Sequence, residues 1–486
     1  MCSCSLTPTL SDRAKRGATS CRNASTRPVV FVRLRSSSVL RVEIFFVRSV
    51  PNAELTPRCA AYCTILAKAL FFGLPVHGHT NPTLPLVREL VRRGEEIVYL
   101  STDEFAPLIA TTGATYRPYR NTFLPELGSV ARRMDELAWL FMRTTSELLD
   151  EELDAYRAEK PDYVVTDSVA PWGQWIGEIL GVPVVTSVTT FAFNRQVMRY
   201  GAAHGVRPKS ARAFLSKLRH IARAVRLMRR LRRRYGVNGP GMMGTMSGHS
   251  GLTLVYTSRE FQPCAASFDD RYRFVGPLLG PRGDDSTFPW ETIAHPVLLY
   301  VSLGTLFNAD PAFYRHAFDA LGGLDAQVVL SVGRRISIES LGRPPANILV
   351  QAHVPQLQIL ERAAAFVTHG GMNSVSESLF HGVPVVVIPQ MSEQEFVARR
   401  TEELGAGVFL AKEAVTPESL RAAVERLLAD DGFGVRARAI GQSFRTAGGV
   451  MRAADAVLAF TARSSGVPLG SRLPPDVHDI GLEGRR

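Results

Sequence analysis

Apolar positions in this chain follow two patterns, short unbroken runs and longer stretches with an apolar residue every three or four, and the two alternate. The run 65–72 reads as a strand. A loop at 73–80 follows, with Asn81 as a helix N-cap and Pro82 at the first helical position. Leu84, Val87, Leu90 and Val91 then form a helical stripe, Gly94 sits where a C-terminal cap belongs, and 97–100 is the next strand. Strand 163–166 ends at Asp167, a helix covers 170–180, and strand 184–188 follows. Residues 124–157 and 195–235 read as mainly helical. Short strands at 254–256 and 274–275 precede Gly276-Pro277.

The stretch 280–296 is rich in Gly, Pro and Asp and reads as a linker. A second alternating set begins with strand 297–302 ahead of Gly304-Thr305. It continues with a helix at 313–321, strands at 327–331, 348–351, 363–368 and 384–388, and helices at 417–430 and 435–462. Strand–helix–strand spacing implies right-handed parallel units. The expected architecture is therefore α/β, with two Rossmann-like doubly wound domains facing across a cleft. The expected division is an extension at 1–63, an N-terminal domain at 64–280, a linker at 281–296, a C-terminal domain at 297–445, a C-terminal helix at 446–463 and a disordered tail at 464–486.

Composition sharpens this picture at a few points. The chain has 486 residues, 45% hydrophobic and 21% charged, with a net charge of +12. No uncharged apolar run is long enough to cross a membrane. Residues 1–63 carry nine Arg and one Lys against Asp12, Glu43 and Glu54, and five of the six Cys. This Arg- and Ser-rich stretch resembles a transit peptide, and reads as a disordered or processed extension or as translation from upstream of the true start. Only Cys264 lies in the remainder, so no disulfide framework is expected and a cytoplasmic setting fits. The run 217–234, KLRHIARAVRLMRRLRRR, places Arg on one helical face and apolar residues on the other. A solvated basic face is the first reading, and contact with a membrane surface stays open. Nucleic acid is not expected, because no aromatic residues are interleaved for stacking.

The most chemically specific stretch is 366–394, FVTHGGMNSVSESLFHGVPVVVIPQMSEQ. A strand runs into His369, Gly370-Gly371 and a helix starting at Asn373-Ser374. Two glycines let backbone approach an anion, and the helix N-terminus offers unpaired N–H groups and a positive dipole end. His369 and Ser374 can donate hydrogen bonds, while Glu377 and Glu393 can accept from sugar hydroxyls. The stretch suits a nucleotide-sugar diphosphate. Ser374 to Glu377 also reads as an S-x-x-E capping box, a structural alternative for Glu377. In the first half, His79 lies just before the Pro82 helix, whose dipole would disfavour imidazolium and keep the ring neutral as a base. His77 is the alternative base.

With FFGLPVHGHTNPTLPLVRELVRRG at 71–94, YVSLGT at 300–305, HVPQLQIL at 353–360 and the run from His369 to Gln394, the chain resembles the UDP-dependent glycosyltransferases of the macrolide type over about residues 64–463. The resemblance implies the GT-B fold and inverting, metal-independent transfer of a sugar, glucose first, from a UDP-sugar to a hydroxyl of a lipophilic small molecule such as a macrolide or polyphenol. It makes His79, in Gly78-His79-Thr80-Asn81-Pro82, the base and Asp167 the carboxylate that orients it. His369, Gly371, Asn373, Ser374 and Thr305 would hold the diphosphate. Glu377 would clamp the ribose, Gln356 would contact the uracil, and Glu393 and Gln394 would read the donor sugar. No Asp-x-Asp pair ends a strand in the second half, so neither metal nor cofactor is expected; the UDP-sugar is a co-substrate. Two departures stand out. His353 replaces a Trp that many relatives stack on the base, and Val397 replaces an Asn expected to add a polar contact near the sugar.

Rival readings have distinct signatures. A sterol or lipid glycosyltransferase would use the same core, with the Arg-rich helix on a membrane. A non-catalytic nucleotide-sugar-binding protein would not need both His79 and Asp167. A dinucleotide oxidoreductase is disfavoured because the first strand–helix turn, GLPVHGHTNP, lacks G-x-G-x-x-G.

Overall fold

The computed structural model describes residues 30–34, 42–46, 67–120, 134–204, 211–240, 242–248, 251–281, 288–305 and 308–464. Residues 1–63 and 64–486 form separate units. Within the first, β1 (Val30–Leu34) pairs antiparallel with β2 (Val42–Phe46), Val30 opposite Phe46. The rest of that segment and the tail beyond 464 lie outside the described residues, and so do the expectations for them.

The second unit contains two parallel sheets. The first is built from β3 (Lys68–Phe72), β4 (Glu96–Ser101), β5 (Thr115–Pro118), β6 (Tyr163–Asp167), β7 (Val184–Val188), β8 (Leu252–Val255) and β9 (Tyr272–Phe274), in the order β5-β4-β3-β6-β7-β8-β9. The second has β10 (Leu298–Ser302), β11 (Gln327–Ser331), β12 (Ile348–Gln351), β13 (Ala365–Thr368), β14 (Val385–Val387) and β15 (Gly407–Phe409), in the order β12-β11-β10-β13-β14-β15. The central strands are largely apolar because helices cover both faces, and their polar residues, Thr166, Asp167, Ser302 and Thr368, stand only at the carboxyl ends. All residues of β6, β10, β13 and β14 are accordingly buried. The doubly wound architecture expected from the alternation is present in both halves.

Each strand order reverses next to its first strand, between β3 and β6 in one sheet and between β10 and β13 in the other. A ligand crevice in such a sheet opens at this switch point, beyond the carboxyl ends of the strands. The loops after β3 and β10, with Asp167 and His369, emerge at these two points.

The halves share packing. Phe191 lies against Phe396 with ring centroids 5.6 Å apart, and Phe261 meets Phe444 edge-on at 5.6 Å. Arg400 donates to the carbonyls of Phe261 (3.0 Å) and Glu260 (2.7 Å). The last helix, Gly449–Ser464, returns to the first half, where Ala453, Ala454, Val457 and Leu458 join the core of Phe71, Leu86 and Tyr99. The helical stretch 435–462 divides into two helices, Asp431–Thr446 and Gly449–Ser464. They break at Gly448, whose φ of +95° helical geometry cannot accommodate.

Candidate active site

The loop after β3 differs from its sequence reading in one respect. Asn81 is not an N-cap. The helical turn starts at His77, with Val76 as its cap, and continues through a tighter turn at Asn81–Thr83 into the helix Leu84–Arg92. His79 thus lies inside the first turn rather than ahead of it. The turn is held by Tyr119 Oη donating to the Gly73 carbonyl (2.9 Å), Thr80 Oγ1 to Leu74 (3.2 Å) and Thr83 Oγ1 to Thr80 (2.7 Å).

His79 Nδ1 lies 2.8 Å from Asp167 Oδ2, and Thr189 Oγ1 stands 3.0 Å from the same nitrogen. Asp167 Oδ1 accepts from the Val169 N–H at 2.9 Å, which fixes the carboxylate. With its proton on Nδ1 and directed at Asp167, the ring keeps a lone pair on Nε2. Asp167 is sealed at 1% exposure, whereas His79 leaves 16% of its side chain open, so the ring has a working edge. His77 is turned elsewhere, its Nε2 3.3 Å from Glu104.

The electrostatics correct the expectation of a ring kept neutral by the helix dipole. Burial, the largest single influence, lowers the proton affinity of His79. The Asp167 carboxylate, by charge and hydrogen bond, and then Glu393 more than offset this, and the pKa stands above its ordinary value. A whole charge at 2.8 Å outweighs the half-charge of a helix end. Glu393 belongs to the other half, so the charge coupling spans the cleft. Its carboxyl is exposed to the cleft but surrounded closely enough that desolvation raises its pKa; His79 pulls it down and Asp167 pushes it up.

Across the cleft, the helix Met372–Phe380 starts one residue earlier than expected, with Gly371 as N-cap and no side chain capping it. Ser374 is therefore at the third helical position, and the capping-box reading of Glu377 fails. The Glu377 carboxylate instead accepts from Gln356 Nε2 at 2.7 Å, and Gln356 Oε1 accepts from Tyr300 Oη at 3.1 Å. Glu377 is 1% exposed and Gln356 half-buried, so the carboxylate is sealed behind the amide that it holds. Gln394 is buried, its Oε1 taking the Gln390 N–H at 2.7 Å. Thr305 is exposed after β10, its carbonyl accepting from Arg335 at 2.9 Å. His353 is exposed, while Val397 is buried in the core beside Phe396, so no polar contact to a sugar is lost there.

The His369 ring fills space that two glycines leave open. A Cβ on Gly304 would come within 2.4 Å of His369 Cε1, and one on Gly371 within 2.5 Å of Nε2; Gly304 also has φ +75°. Burial pushes the His369 pKa down to about 4, so the ring is neutral and one nitrogen can donate to a phosphate oxygen. Gly304→Ala should cost about 1–2 kcal/mol in backbone strain alone and displace His369. Its thermal melt should fall and UDP affinity, measured by calorimetry, should weaken.

One contact ties the two halves at the site itself. Pro82 has no N–H to give the carbonyl of Gly78, four residues earlier, which leaves that oxygen without its helical donor. Asn373 Nδ2 supplies one at 2.8 Å. The side chain expected on the diphosphate thus reaches across to the residue before His79. Asn373→Ala removes a single neutral hydrogen bond, worth about 0.5–1.5 kcal/mol. We expect kcat/KM for the acceptor to fall by roughly three- to tenfold, with UDP affinity changed less. Equal loss of both would return Asn373 to the diphosphate alone.

Sequence reasoning missed Thr189, Tyr300 and Arg335. Thr189 could have been found by its place, since it follows β7 as Asp167 ends β6. The other two are recognisable only through their partners in space.

A family model, the erythromycin biosynthesis protein CIII-like C-terminal domain, matches residues 315–445. The chain is 35% identical over 400 residues to the NDP-glycosyltransferase YjiC of Bacillus licheniformis, covering 80% of this chain and 97% of that protein. It is 32% identical over 406 residues to the oleandomycin glycosyltransferase of Streptomyces antibioticus, covering 81% and 91%. The solved structure of the glycotransferase of kitacinnamycin superposes with a TM-score of 0.70 at 30% identity, covering 82% of this chain and 99% of that one.

Proposed function

The chain belongs to the GT-B glycosyltransferases that include the NDP-glycosyltransferases and the macrolide glycosyltransferases, and from that footing we propose that it is an inverting, metal-independent UDP-sugar transferase acting on a hydroxyl of a lipophilic small molecule. The observation that carries this reading is the His79–Asp167 pair at one switch point, 2.8 Å apart, facing the uncapped helix of Met372 across the cleft.

In this mechanism His79 Nε2 takes the proton of the acceptor hydroxyl as its oxygen attacks the anomeric carbon in line. The bond from that carbon to the diphosphate oxygen breaks, and its electron pair leaves with UDP. Inversion converts an α-linked donor into a β-linked product. Asp167 holds the resulting imidazolium. The charge developing on UDP meets the N–H groups at Met372–Ser374 and the neutral His369 ring, donors already in place before the reaction. Ribose hydroxyls displace the Gln356 amide from Glu377, which frees that amide for the uracil. Glu393 and the amide N–H of Gln394, whose oxygen is engaged by Gln390, are assigned to the donor sugar, with glucose the first choice.

Room for a small-molecule acceptor is offered by an open cavity of about 540 Å³, whose Phe193 and Met198 give it apolar surface beside the polar Asn194, Arg195, Arg199 and Ser247. Phe193, on its border, is four residues along the chain from Thr189, which touches His79.

The test is release of UDP from UDP-glucose in the presence of a panel of macrolides and polyphenols, with thymidine-diphosphate glucose as the competing donor. Acceptor-dependent UDP release with a β-linked product supports the reading. UDP binding without turnover on any acceptor would favour a non-catalytic binder.

A further inference from the structure

Charge is distributed unevenly along this chain. Residues 179–259 contain thirteen Arg and two Lys and no Asp or Glu, although the net charge of the whole chain is only +12. The residues outside that segment therefore sum to a net charge of −3, although 1–63 are themselves basic. The excess concentrates on one element, the helix Ala211–Tyr235. Its Ala224 and Leu231 are buried, and the helix packs against Met134–Glu151. Arg219, Arg223, Arg226, Arg230 and Arg233 recur at helical spacing on the opposite side, and all five are exposed. Fourteen steps of 1.5 Å from Arg219 to Arg233 make this stripe about 21 Å long. Among the described residues none of the five pairs with a carboxylate; Arg234, beside the stripe, reaches Asp150.

We propose that this stripe docks the protein on an anionic lipid surface. Five like charges in one row repel one another and gain most from a partner that is itself a continuous field of negative charge. A convex helix face needs no shaped counterpart on a flat bilayer, whereas a protein partner would need an apolar core within the contact, and the stripe supplies none. Single-stranded nucleic acid would call for stacking rings, which the stripe also lacks. No helix among the described residues is long and apolar enough to cross a membrane, so the association is peripheral and electrostatic. It is independent of the reaction proposed above.

The full chain is tested by co-sedimentation with phosphatidylcholine vesicles containing about one third phosphatidylglycerol, against phosphatidylcholine alone. Binding to the anionic vesicles only, reversed at about 0.5 M salt, is expected. Each arginine near such a surface contributes about fivefold in partitioning, so R223Q/R226Q/R230Q/R233Q should bind on the order of several hundredfold more weakly. Its melting temperature and UDP affinity, measured alongside, should match the parent. Undiminished binding by the variant would move the contact to the basic residues 1–63 and overturn the proposal. So would absence of binding to anionic vesicles, preference for an RNA homopolymer over them at equal salt, or salt-sensitive dimerisation that the variant abolishes.

Discussion

Replacing His79 by alanine should lower kcat by about 10²–10⁴-fold, the usual contribution of a positioned general base, while UDP affinity stays within about twofold. The separation follows from the location of the groups. His79 is in the first half, and the donors proposed for the diphosphate, at Met372–Ser374 and His369, are in the second. Calorimetric titration with UDP and steady-state UDP release check the two arms. Unchanged turnover would remove His79 from the chemistry, and loss of UDP binding would show that the substitution reaches the donors of the second half. A further signature accompanies the loss. Glu393 is pulled down by the charge of His79 and should titrate at higher pH in the variant.

Much of this site could be read from the order of residues, and what could not has a physical reason. His79 and Asp167 are 88 positions apart in the chain, yet each is recognisable because it sits where a first or fourth parallel strand ends, and the switch point brings such ends together. Glycine was legible at 370 and 371 as a turn that a side chain would obstruct: Gly370 has φ +84°, and a Cβ on Gly371 would come within 2.5 Å of the His369 ring. Proton affinities were not legible. The dipole of a neighbouring helix is visible locally, but the carboxylates that outweigh it come from β6 and from the far domain. The Gln356–Glu377 pair was hidden because each residue matched a ligand-binding role separately, and only their 2.7 Å contact shows that they first satisfy one another. The bond between Asn373 and Gly78 depends on what Pro82 lacks, a missing N–H whose consequence appears only when the other half closes over it.

The second large effect is expected from Asp167→Asn, and its direction is set by which oxygen is already engaged. Asp167 Oδ1 is held by the Val169 N–H at 2.9 Å, so the oxygen of an asparagine would remain there and its amide nitrogen would face His79 Nδ1. That nitrogen can only donate. Nδ1 must then offer its lone pair, the ring proton moves to Nε2, and the edge facing the acceptor loses its basic site. We expect kcat to fall about 10²-fold or more, with little change in UDP affinity. The pH dependence carries the stronger signature. In the parent, Asp167 and Glu393 hold the His79 pKa above its ordinary value, so the acid limb of the kcat/KM profile should lie above that value too. Removing the Asp167 charge leaves burial opposed by Glu393 alone, and the limb should shift to lower pH even as the plateau drops. Stability moves with it. A histidine pKa raised by folding stabilises the parent fully below the pKa of the unfolded chain, and that contribution disappears as pH rises through the folded value. Thermal melts should therefore show the variant losing more to the parent on the acid side of this window than on the alkaline side. A limb that stays in place would mean that Asp167 does not set the proton affinity of His79, however close the two lie.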